Sequence, residues 1–291
     1  MRAALFVLAA EWLFASMGAT VKWAASSLPF EMLVFARNLA GLLLVSLLAW
    51  RVRLPLRPRA GTWRLHLLRA VLGLSAMYCL FIALAHLPLA NAVLLKMTAP
   101  LFIPLVAMLW LSESPGWRTA FALAIGFVGV AVILRPSGHW EAMAVVGLLG
   151  GALIGAAKVS VRRLAQEEPV MRIVFYFALF STVLSAVPLP WRWQTPQGEE
   201  WGLLLALGVF GTAAQLLLTR ALQLSRASAI APLSYSSLLF GALLGYVFWK
   251  EVPAPLFWLG AALVVAAGLL VLRRRRVGGT GVGVLNKGDE C

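Results

Sequence analysis

Charged side chains inside long apolar stretches are the residues of this sequence most able to do chemistry. Five stand out: Glu11, Lys22, Arg37, Lys96 and Lys158. If those stretches lie in a bilayer, each charge costs about 2.5–3.5 kcal/mol on insertion scales, so each is a functional candidate by default. Arginine can clamp a carboxylate or phosphate through two hydrogen bonds, and lysine acts as a point charge. The pattern favours binding of an anionic or zwitterionic small molecule.

Depth along the predicted helices separates these groups. Arg37 and Lys96 each lie about seven residues from the same membrane surface, roughly 10 Å at 1.5 Å per residue. We predict that both face the substrate; the alternative is a structural ion pair that holds the first, second and fourth spans together. Glu11 lies near mid-depth, where a carboxylate balanced between burial and nearby cations could take up and release a proton. We predict that Glu11 couples transport to protons; a permanent salt bridge to Lys96 is the structural alternative. Lys22 is an accessory candidate, although it and Lys158 could simply extend to the membrane surface.

Further polar side chains are candidates by their chemistry alone. Aromatic and hydroxyl groups can bind a planar or polar ligand, and the candidates for lining a cavity are Tyr78, Gln215, Ser234, Tyr235, Ser236 and Ser237. Serine equally lets helices pack closely, so a packing role stays open. Prolines inside apolar segments free backbone carbonyls and allow bending, and the candidate hinges are Pro100, Pro104 and Pro232.

The composition indicates that lipid, not water, surrounds these groups. Of 291 residues, 62% are hydrophobic and 12% are charged, whereas a soluble domain has about 45–50% apolar and about 25% charged residues. The net charge of +14 comes from arginines in short loops, which favours orientation in a membrane over nucleic-acid binding. Two cysteines, Cys79 and Cys291, exclude a disulfide framework and a thiolate metal cluster.

Apolar runs bounded by Pro, Gly and charge predict an all-α integral membrane protein. The ten predicted spans are residues 3–25, 30–50, 65–86, 89–111, 117–134, 141–161, 170–190, 200–221, 228–248 and 256–273. Sixteen Lys and Arg residues fall in the loops of one side, against Arg135, Arg192 and Lys250 on the other. The positive-inside rule therefore predicts a multi-pass protein with both termini in the cytoplasm. The Gly-rich tail, 277–291, is predicted to be disordered.

The two halves of the sequence match each other. A shift of 138 residues aligns Ala83-Leu84 with Ala221-Leu222 and Glu113 with Glu251, and a shift of 140 aligns Pro29 with Pro169. We predict two five-helix repeats, residues 1–136 and 141–276. An odd number of helices turns the second repeat upside down, which is usual in secondary transporters. Arg37, Lys96 and Glu11 align with Phe177, Ser234 and Gly151, so these charges are unique to the first repeat, whereas the paired Glu113 and Glu251 are predicted to be structural caps.

The sequence resembles the EamA-type family of the drug/metabolite transporter superfamily over nearly its whole length. In the first half the resemblance lies in Val21-Lys22, Pro29, Phe35-x-Arg37, the run from Ala83 to Ala92, Pro100-Leu101-Phe102, Glu113, Gly126 and Gly129. In the second half it lies in Ala221-Leu222, Ala227-Ser228-Ala229, Pro232-Leu233, Glu251 and Gly268. The resemblance implies ten helices in two inverted repeats around a central cavity, and secondary transport, often proton-linked export of amino acids or other metabolites.

Two transport functions follow as expectations. The first is proton-linked export of an anionic or zwitterionic metabolite, amino-acid-like or chelating, across a bacterial inner membrane. The second is uptake of a vitamin or nucleoside-like cofactor, because Lys22 and Arg37 look like those of riboflavin or S-adenosylmethionine carriers. The resemblance also allows a homodimer, and no cofactor is expected.

A membrane-embedded enzyme is the rival class. Catalysis in a bilayer needs clustered acids, metal ligands or a nucleophile with its base. The three histidines, His66, His86 and His139, lie in different loops and helix ends without metal-ligand spacing, and only 11 residues are acidic. We therefore predict no catalytic residues and no metal site. A channel fits inverted repeats and a charged cavity less well than alternating access does.

Overall fold

The computed structural model of the chain describes residues 2–53, 55–59, 61–111, 117–134, 142–164, 167–224 and 231–277. These residues form α-helices and one 3-10 helix, and the described ranges contain no strand. The α-helices are α1 Arg2–Ala24, α2 Phe30–Arg51, α3 Trp63–His86, α4 Leu89–Lys96, α5 Ala99–Leu111, α6 Trp117–Leu134, α7 Ala142–Leu164, α8 Val170–Ala186, α9 Leu189–Arg192, α10 Glu200–Leu224, α11 Ser236–Trp249 and α12 Pro255–Val277. The 3-10 helix is Ala231–Tyr235. The predictions for Glu113, for Ala227-Ser228-Ala229 and for the tail after Val277 lie outside the described residues.

The predicted spans correspond to these helices, with ends that agree within about four residues. Six segments are long and apolar enough to cross a membrane: Ala3–Ala24, Phe30–Arg51, Trp63–His86, Leu89–Val106, Ala142–Val161 and Glu200–Leu218. The shorter apolar helices are Ala120–Val132, Met171–Ala186, Leu233–Trp249 and Pro255–Ala267. An all-helical protein with several membrane spans is confirmed. Ten spans in two inverted repeats remain a prediction.

Prolines set the start of three helices. Pro29, Pro88 and Pro169 precede α2, α4 and α8 with ψ angles of 139°, 139° and 145°. Proline lacks an N–H and fixes φ near −65°, which suits the position before a helix. Pro29 and Pro169 are aligned by the shift of 140, and each begins its helix with the same backbone conformation, as related halves would require.

The centre of the molecule is built around α4. Its residues Leu89, Ala90 and Ala92–Leu95 are buried, so this helix is apolar on nearly every side, as expected for a fully enclosed helix. Around it α1 packs along α10, α3 along α7 and α6 along α12. Large apolar side chains such as Leu43, Val128 and Leu205 point outward with more than half of their surface exposed. Such an exterior suits contact with lipid.

Two opposite ends of the helix bundle are named here by their glutamates. The Glu251 face is where α1 ends at Ala24 and α4 begins at Leu89. The Glu168 face is where α2 ends at Arg51 and α8 begins at Val170.

Candidate functional site

The fourth predicted span is broken at Met97-Thr98, between α4 and α5. Pro100 has no N–H to donate to the carbonyl of Lys96, so the regular hydrogen bonding of a helix cannot continue there. The turn closes locally instead, because the fully buried Thr98 donates from its N–H (3.1 Å) and from Oγ1 (2.6 Å) to the carbonyl of Leu95. Lys96 is therefore the last residue of a half-helix, and Pro104 lies inside the following one.

The ninth predicted span changes from a 3-10 helix to an α-helix at the position that aligns with the break in the fourth span. Its 3-10 helix ends at Tyr235 and α11 begins at Ser236, the residues that the shift of 138 aligns with Met97 and Thr98. This transition contacts the break in the fourth span, since Ser237 Oγ lies 3.7 Å from Met97 Sδ. The hydroxyls of Tyr235 and Ser236 are buried, and neither has a hydrogen-bond partner within the described part of the chain.

Helix α7 packs directly on the break between α4 and α5. A Cβ at Gly151 would lie 2.8 Å from the carbonyl oxygen of Leu95 and 2.3 Å from Thr98 Oγ1, so the close approach requires glycine. Lys158 follows Gly151 by about two turns of the same helix. Its side chain is accessible but lies within electrostatic reach of Lys96 and Glu11. The alternative in which Lys158 extends to the membrane surface therefore stays a prediction.

Glu11 is the carboxylate of this centre. Only 4% of the residue is exposed, and its Oε2 has no hydrogen-bond partner among the described residues. The Lys96 ammonium lies 4.9 Å from the centroid of the Phe14 ring, one turn along α1 from Glu11. The ion pairs between described residues do not include one from Glu11 to Lys96, so the permanent salt bridge is absent. We call Glu11, Lys96, Lys158, Tyr235 and Ser236 the central polar cluster.

Arg37 lies close to this cluster but makes little contact with polar groups. It is 8% exposed and donates one hydrogen bond, from Nη1 to Asn38 Oδ1 at 3.2 Å. A Cβ at Gly211 of α10 would lie 2.9 Å from Met17 Sδ and 3.4 Å from Arg37 Cγ and Nε, so the arginine runs between α1 and α10. Gln215 lies one turn further along α10.

Arg69 is a residue that the sequence reasoning missed. It lies in α3, within electrostatic reach of Arg37, with its guanidinium carbon 4.2 Å from the centroid of the Phe177 ring. Its Nε and Nη1 are buried and have no hydrogen-bond partner in the described ranges. The available signal was an arginine six residues inside the apolar segment that begins at Trp63.

Lys22 and Tyr78 lie towards the Glu251 face. Lys22 forms an ion pair with Glu251 and donates to the carbonyl of Leu87 at 2.9 Å. Glu251 also accepts from the N–H of Leu89 at 2.8 Å and so caps α4, as predicted. Tyr78 packs edge-on against Phe30 with 6.1 Å between ring centroids. A cavity of about 350 Å³ lies beside Glu251.

A second buried glutamate, Glu168, links several elements at the Glu168 face through hydrogen bonds. Glu168 accepts hydrogen bonds from the N–H of Arg59 (2.7 Å), Thr62 Oγ1 (2.8 Å) and Arg172 Nη1 (2.6 Å), and His66 Nε2 lies 3.7 Å away. We call these five residues the Glu168 latch. Burial alone would raise the pKa of Glu168, but the three hydrogen bonds and the Arg172 charge lower it to about 2.

The latch continues into the loop that follows α2. Arg172 Nη2 donates to the carbonyl of Pro55 at 2.7 Å, and the Tyr176 hydroxyl donates to the carbonyl of Leu56 at 2.9 Å. The latch was not predicted from the sequence, since Glu168 lies 109 residues from Arg59 and 106 residues from Thr62.

Comparison with known proteins identifies the family. The sequence matches the EamA-like transporter family over residues 1–135 and 142–273. It is 36% identical over 276 residues to the pseudopaline exporter CntI of Pseudomonas aeruginosa strain PAO1, covering 94% of this chain and 96% of that protein. It is 33% identical to the riboflavin transporter of Rhizobium johnstonii, covering 72% of this chain and 70% of that protein. A solved crystal structure with a TM-score of 0.63 and 24% identity covers 94% of this chain and 98% of its own, which is a likeness of fold.

The chain belongs to the EamA-like transporter family. It is a multi-pass membrane protein and a transporter, not an enzyme.

Proposed function

We propose that the protein is a secondary active transporter of a small anionic or zwitterionic metabolite, which it carries by alternating access between the Glu251 face and the Glu168 face. The observation that carries the proposal is the central polar cluster. Glu11 Oε2 and the hydroxyls of Tyr235 and Ser236 are buried there without a hydrogen-bond partner among the described residues, and Lys158 lies within electrostatic reach of Lys96 and Glu11. Buried polar groups are normally hydrogen-bonded, so those that are not are candidates for contact with a ligand.

The broken helices support the same proposal. Discontinuous helices at corresponding positions of two repeats are the usual setting of a transporter's binding site, because their free ends present unpaired backbone groups. The break at Met97-Thr98 and the change from 3-10 helix to α-helix at Tyr235-Ser236 correspond by the shift of 138, and Ser237 Oγ contacts Met97 Sδ. Pro100, Pro104 and Pro232 flank them and serve as hinges in this proposal.

The charges define the class of substrate. Arg37, Lys96 and Lys158 supply positive charge and Glu11 a single negative one, so the substrate carries at least one carboxylate or similar oxyanion and tolerates an amine. Tyr235, Ser234 and Gln215 line the same region in this proposal and Tyr78 lies closer to the Glu251 face. The relative named as a pseudopaline exporter supports export as the direction.

The first test is binding. The purified chain would be melted against a panel of amino acids, organic acids, flavins and chelating metabolites, because a ligand that binds the folded state raises its melting temperature. Compounds that stabilise the protein would then be tested for movement in proteoliposomes. The proposal predicts a hit among carboxylate-bearing compounds whose effect is lost in Lys96→Gln. Stabilisation by flavins alone would contradict it.

We propose further that Glu11 takes up and releases the coupling proton. Its carboxylate is buried, lacks a fixed ion pair within the described residues, and lies in electrostatic reach of a cation that an incoming substrate would engage. Glu11→Gln is expected to bind substrate and exchange it across the membrane, but to lose accumulation driven by a pH gradient. Full gradient-driven transport by this variant would refute the coupling role.

Orientation and direction can be tested together. We propose that the Glu168 face is cytoplasmic, in a bacterial inner membrane, with both termini on that side, because the arginine-rich loops lie there. Export then predicts accumulation of the substrate in inside-out vesicles. Uptake of a vitamin is the second candidate, favoured by the relative named as a riboflavin transporter. Uptake of labelled riboflavin into right-side-out cells would support it over export.

A further inference from the structure

A buried arginine, Arg37, and a partly buried one, Arg69, lie together without a carboxylate. Arg37 and Arg69 are within electrostatic reach of each other, and neither takes part in an ion pair with another described residue. Arg37 donates only to its neighbour Asn38, and the Nε and Nη1 of Arg69 are buried without an acceptor in the described ranges. The aromatic face of Phe177 is the main partner of the Arg69 guanidinium.

This arrangement is unfavourable unless an anion completes it. Two like charges in a poorly solvated interior repel each other, and each buried N–H without an acceptor adds a desolvation cost. The described glutamates near the bundle interior and its faces have other neighbours. Glu168 and Glu251 form ion pairs at the two faces, and Glu31 lies 3.6 Å from Arg192. Glu11 lies within electrostatic reach of Lys158. The missing acceptor therefore comes from outside this set of residues.

The arginine pair is separate from the lysines but close to them. Arg37 packs at the level of Met17 on α1, and Lys96 lies over Phe14, three residues away. Three residues of helix correspond to about 4.5 Å along the axis. Two positively charged positions therefore lie about one helical turn apart in depth, with Glu11 a further turn along the same helix.

We propose that Arg69 and Arg37 form an anion subsite, separate from Lys96 and Lys158, which binds a second carboxylate of the transported metabolite. The inference rests on the proposed transport function and deepens it, because it names the substrate class: a metabolite with at least two carboxylates at a fixed spacing. The planar guanidinium offers paired donors that match a carboxylate. Phe177 stacks on Arg69 and holds its plane.

A series of linear dicarboxylates tests this spacing. The full-length purified chain would be titrated with succinate, glutarate, adipate, pimelate and suberate at constant ionic strength, with acetate and chloride as single-charge probes. Binding would be followed by calorimetry and by the melting temperature from tryptophan fluorescence. We expect one chain length to bind at least about tenfold more tightly than acetate, because a hydrogen-bonded charge pair contributes at least that factor.

Three substitutions in α3 separate the subsite from general electrostatics. Arg69→Gln is expected to bind the best dicarboxylate no more tightly than acetate. Arg69→Lys keeps the charge but not the paired donors, so it is expected to keep only part of the preference and to fold even if Arg69→Gln does not. The matched control is Arg64→Gln, one turn away on the same helix, because Arg64 is exposed and lies over Trp63. It removes the same charge and should leave the preference unchanged.

The outcomes distinguish the subsite from the transport site. If Arg69→Lys and any folded Arg69→Gln keep the full preference while Lys96→Gln loses binding, the arginine subsite is wrong and the transport site stands. If acetate or chloride binds as tightly as every dicarboxylate, the two-carboxylate substrate is wrong. If no compound of the series binds the wild-type chain, and none of the wider panel does so either, both proposals fail.

Discussion

Glu168 and Glu11 are equally buried, each with 4% of its surface exposed, but their surroundings are opposite. Glu168 accepts three hydrogen bonds and pairs with Arg172. Glu11 has one oxygen without any partner among the described residues and no ion pair there. Burial alone therefore does not reveal what a charged residue does. A fully bonded carboxylate holds helices together, and an unbonded one is available to a proton or a ligand.

The two faces and the centre of the molecule also differ in how completely their polar groups are hydrogen-bonded. At the two faces, Glu168 and Glu251 each join a basic side chain to the start of a helix or loop, and each accepts a backbone N–H. In the centre, cations and hydroxyls lie close together with few fixed contacts. The glutamates of the two faces therefore have fixed partners, whereas several polar groups of the centre have none among the described residues.

The largest expected effect is the loss of the Glu168 carboxylate. Breaking a buried ion pair by removing one partner typically costs about 3–5 kcal/mol, so Glu168→Gln should lower the free energy of unfolding by about 3 kcal/mol, as the amide retains part of the hydrogen bonding. The measurement is denaturant unfolding in detergent. Glu199→Gln is the matched control, because Glu199 is exposed and should change stability by less than about 0.5 kcal/mol. Equal effects of the two substitutions would show that the latch does not stabilise the fold.

Acid should remove the same contribution from the wild-type protein. The pKa of Glu168 is lowered to about 2 in the folded chain, against about 4.3 in an unfolded one. A lowered folded pKa means that the stabilisation is present above about pH 4.3 and is lost as the pH falls towards 2, at most about 3 kcal/mol in total. Melting temperatures of wild type and Glu168→Gln should therefore converge between pH 5 and pH 2. A constant difference over that range would contradict the assignment.

The Lys22–Glu251 pair should contribute less than the Glu168 latch. Its side chains are 12% and 23% exposed, and partial exposure to solvent weakens ion pairs to about 1 kcal/mol or below. A double-mutant cycle with Lys22→Met and Glu251→Gln isolates the coupling, which we expect at about 1 kcal/mol. A coupling free energy as large as the loss of stability caused by Glu168→Gln would mean that the ion pair at the Glu251 face stabilises the fold as much as the Glu168 latch does.

The sequence predicted the helices because their signals are local. Pro29 and Pro169 mark helix starts, and apolar runs of membrane-spanning length between polar boundaries mark the segments. The cap made by Glu251 was also predictable, because Glu251 aligns with Glu113 in the other repeat, which suggested a structural role. The family resemblance and the transporter class followed from motifs spread over both halves, and the comparisons confirmed them.

The contacts within the site were not predictable from local patterns. Glu168 meets Arg59 across 109 residues and Lys22 meets Glu251 across 229, and no periodicity encodes such pairs. The distance of a residue from a helix end does not tell which charges lie near it, so the electrostatic proximity of Lys158 to Lys96 and Glu11 was not predicted. Arg69 was missed because it is close to an arginine-rich loop, although the packing of α3 against α8 brings it beside Phe177.

The smallest change in stability is expected at Glu11. Glu11→Gln makes the same substitution as Glu168→Gln at a residue of equal burial but with fewer hydrogen-bond partners. Glu11 Oε2 accepts no hydrogen bond from a described residue, so replacing the carboxylate with an amide removes few stabilising contacts. We therefore expect the free energy of unfolding to change by less than about 1 kcal/mol. Denaturant unfolding of both variants in the same detergent measures the difference. A loss at Glu11 as large as that at Glu168 would mean that Glu11 holds helices together, and its proposed exchange of a proton would then have no structural basis.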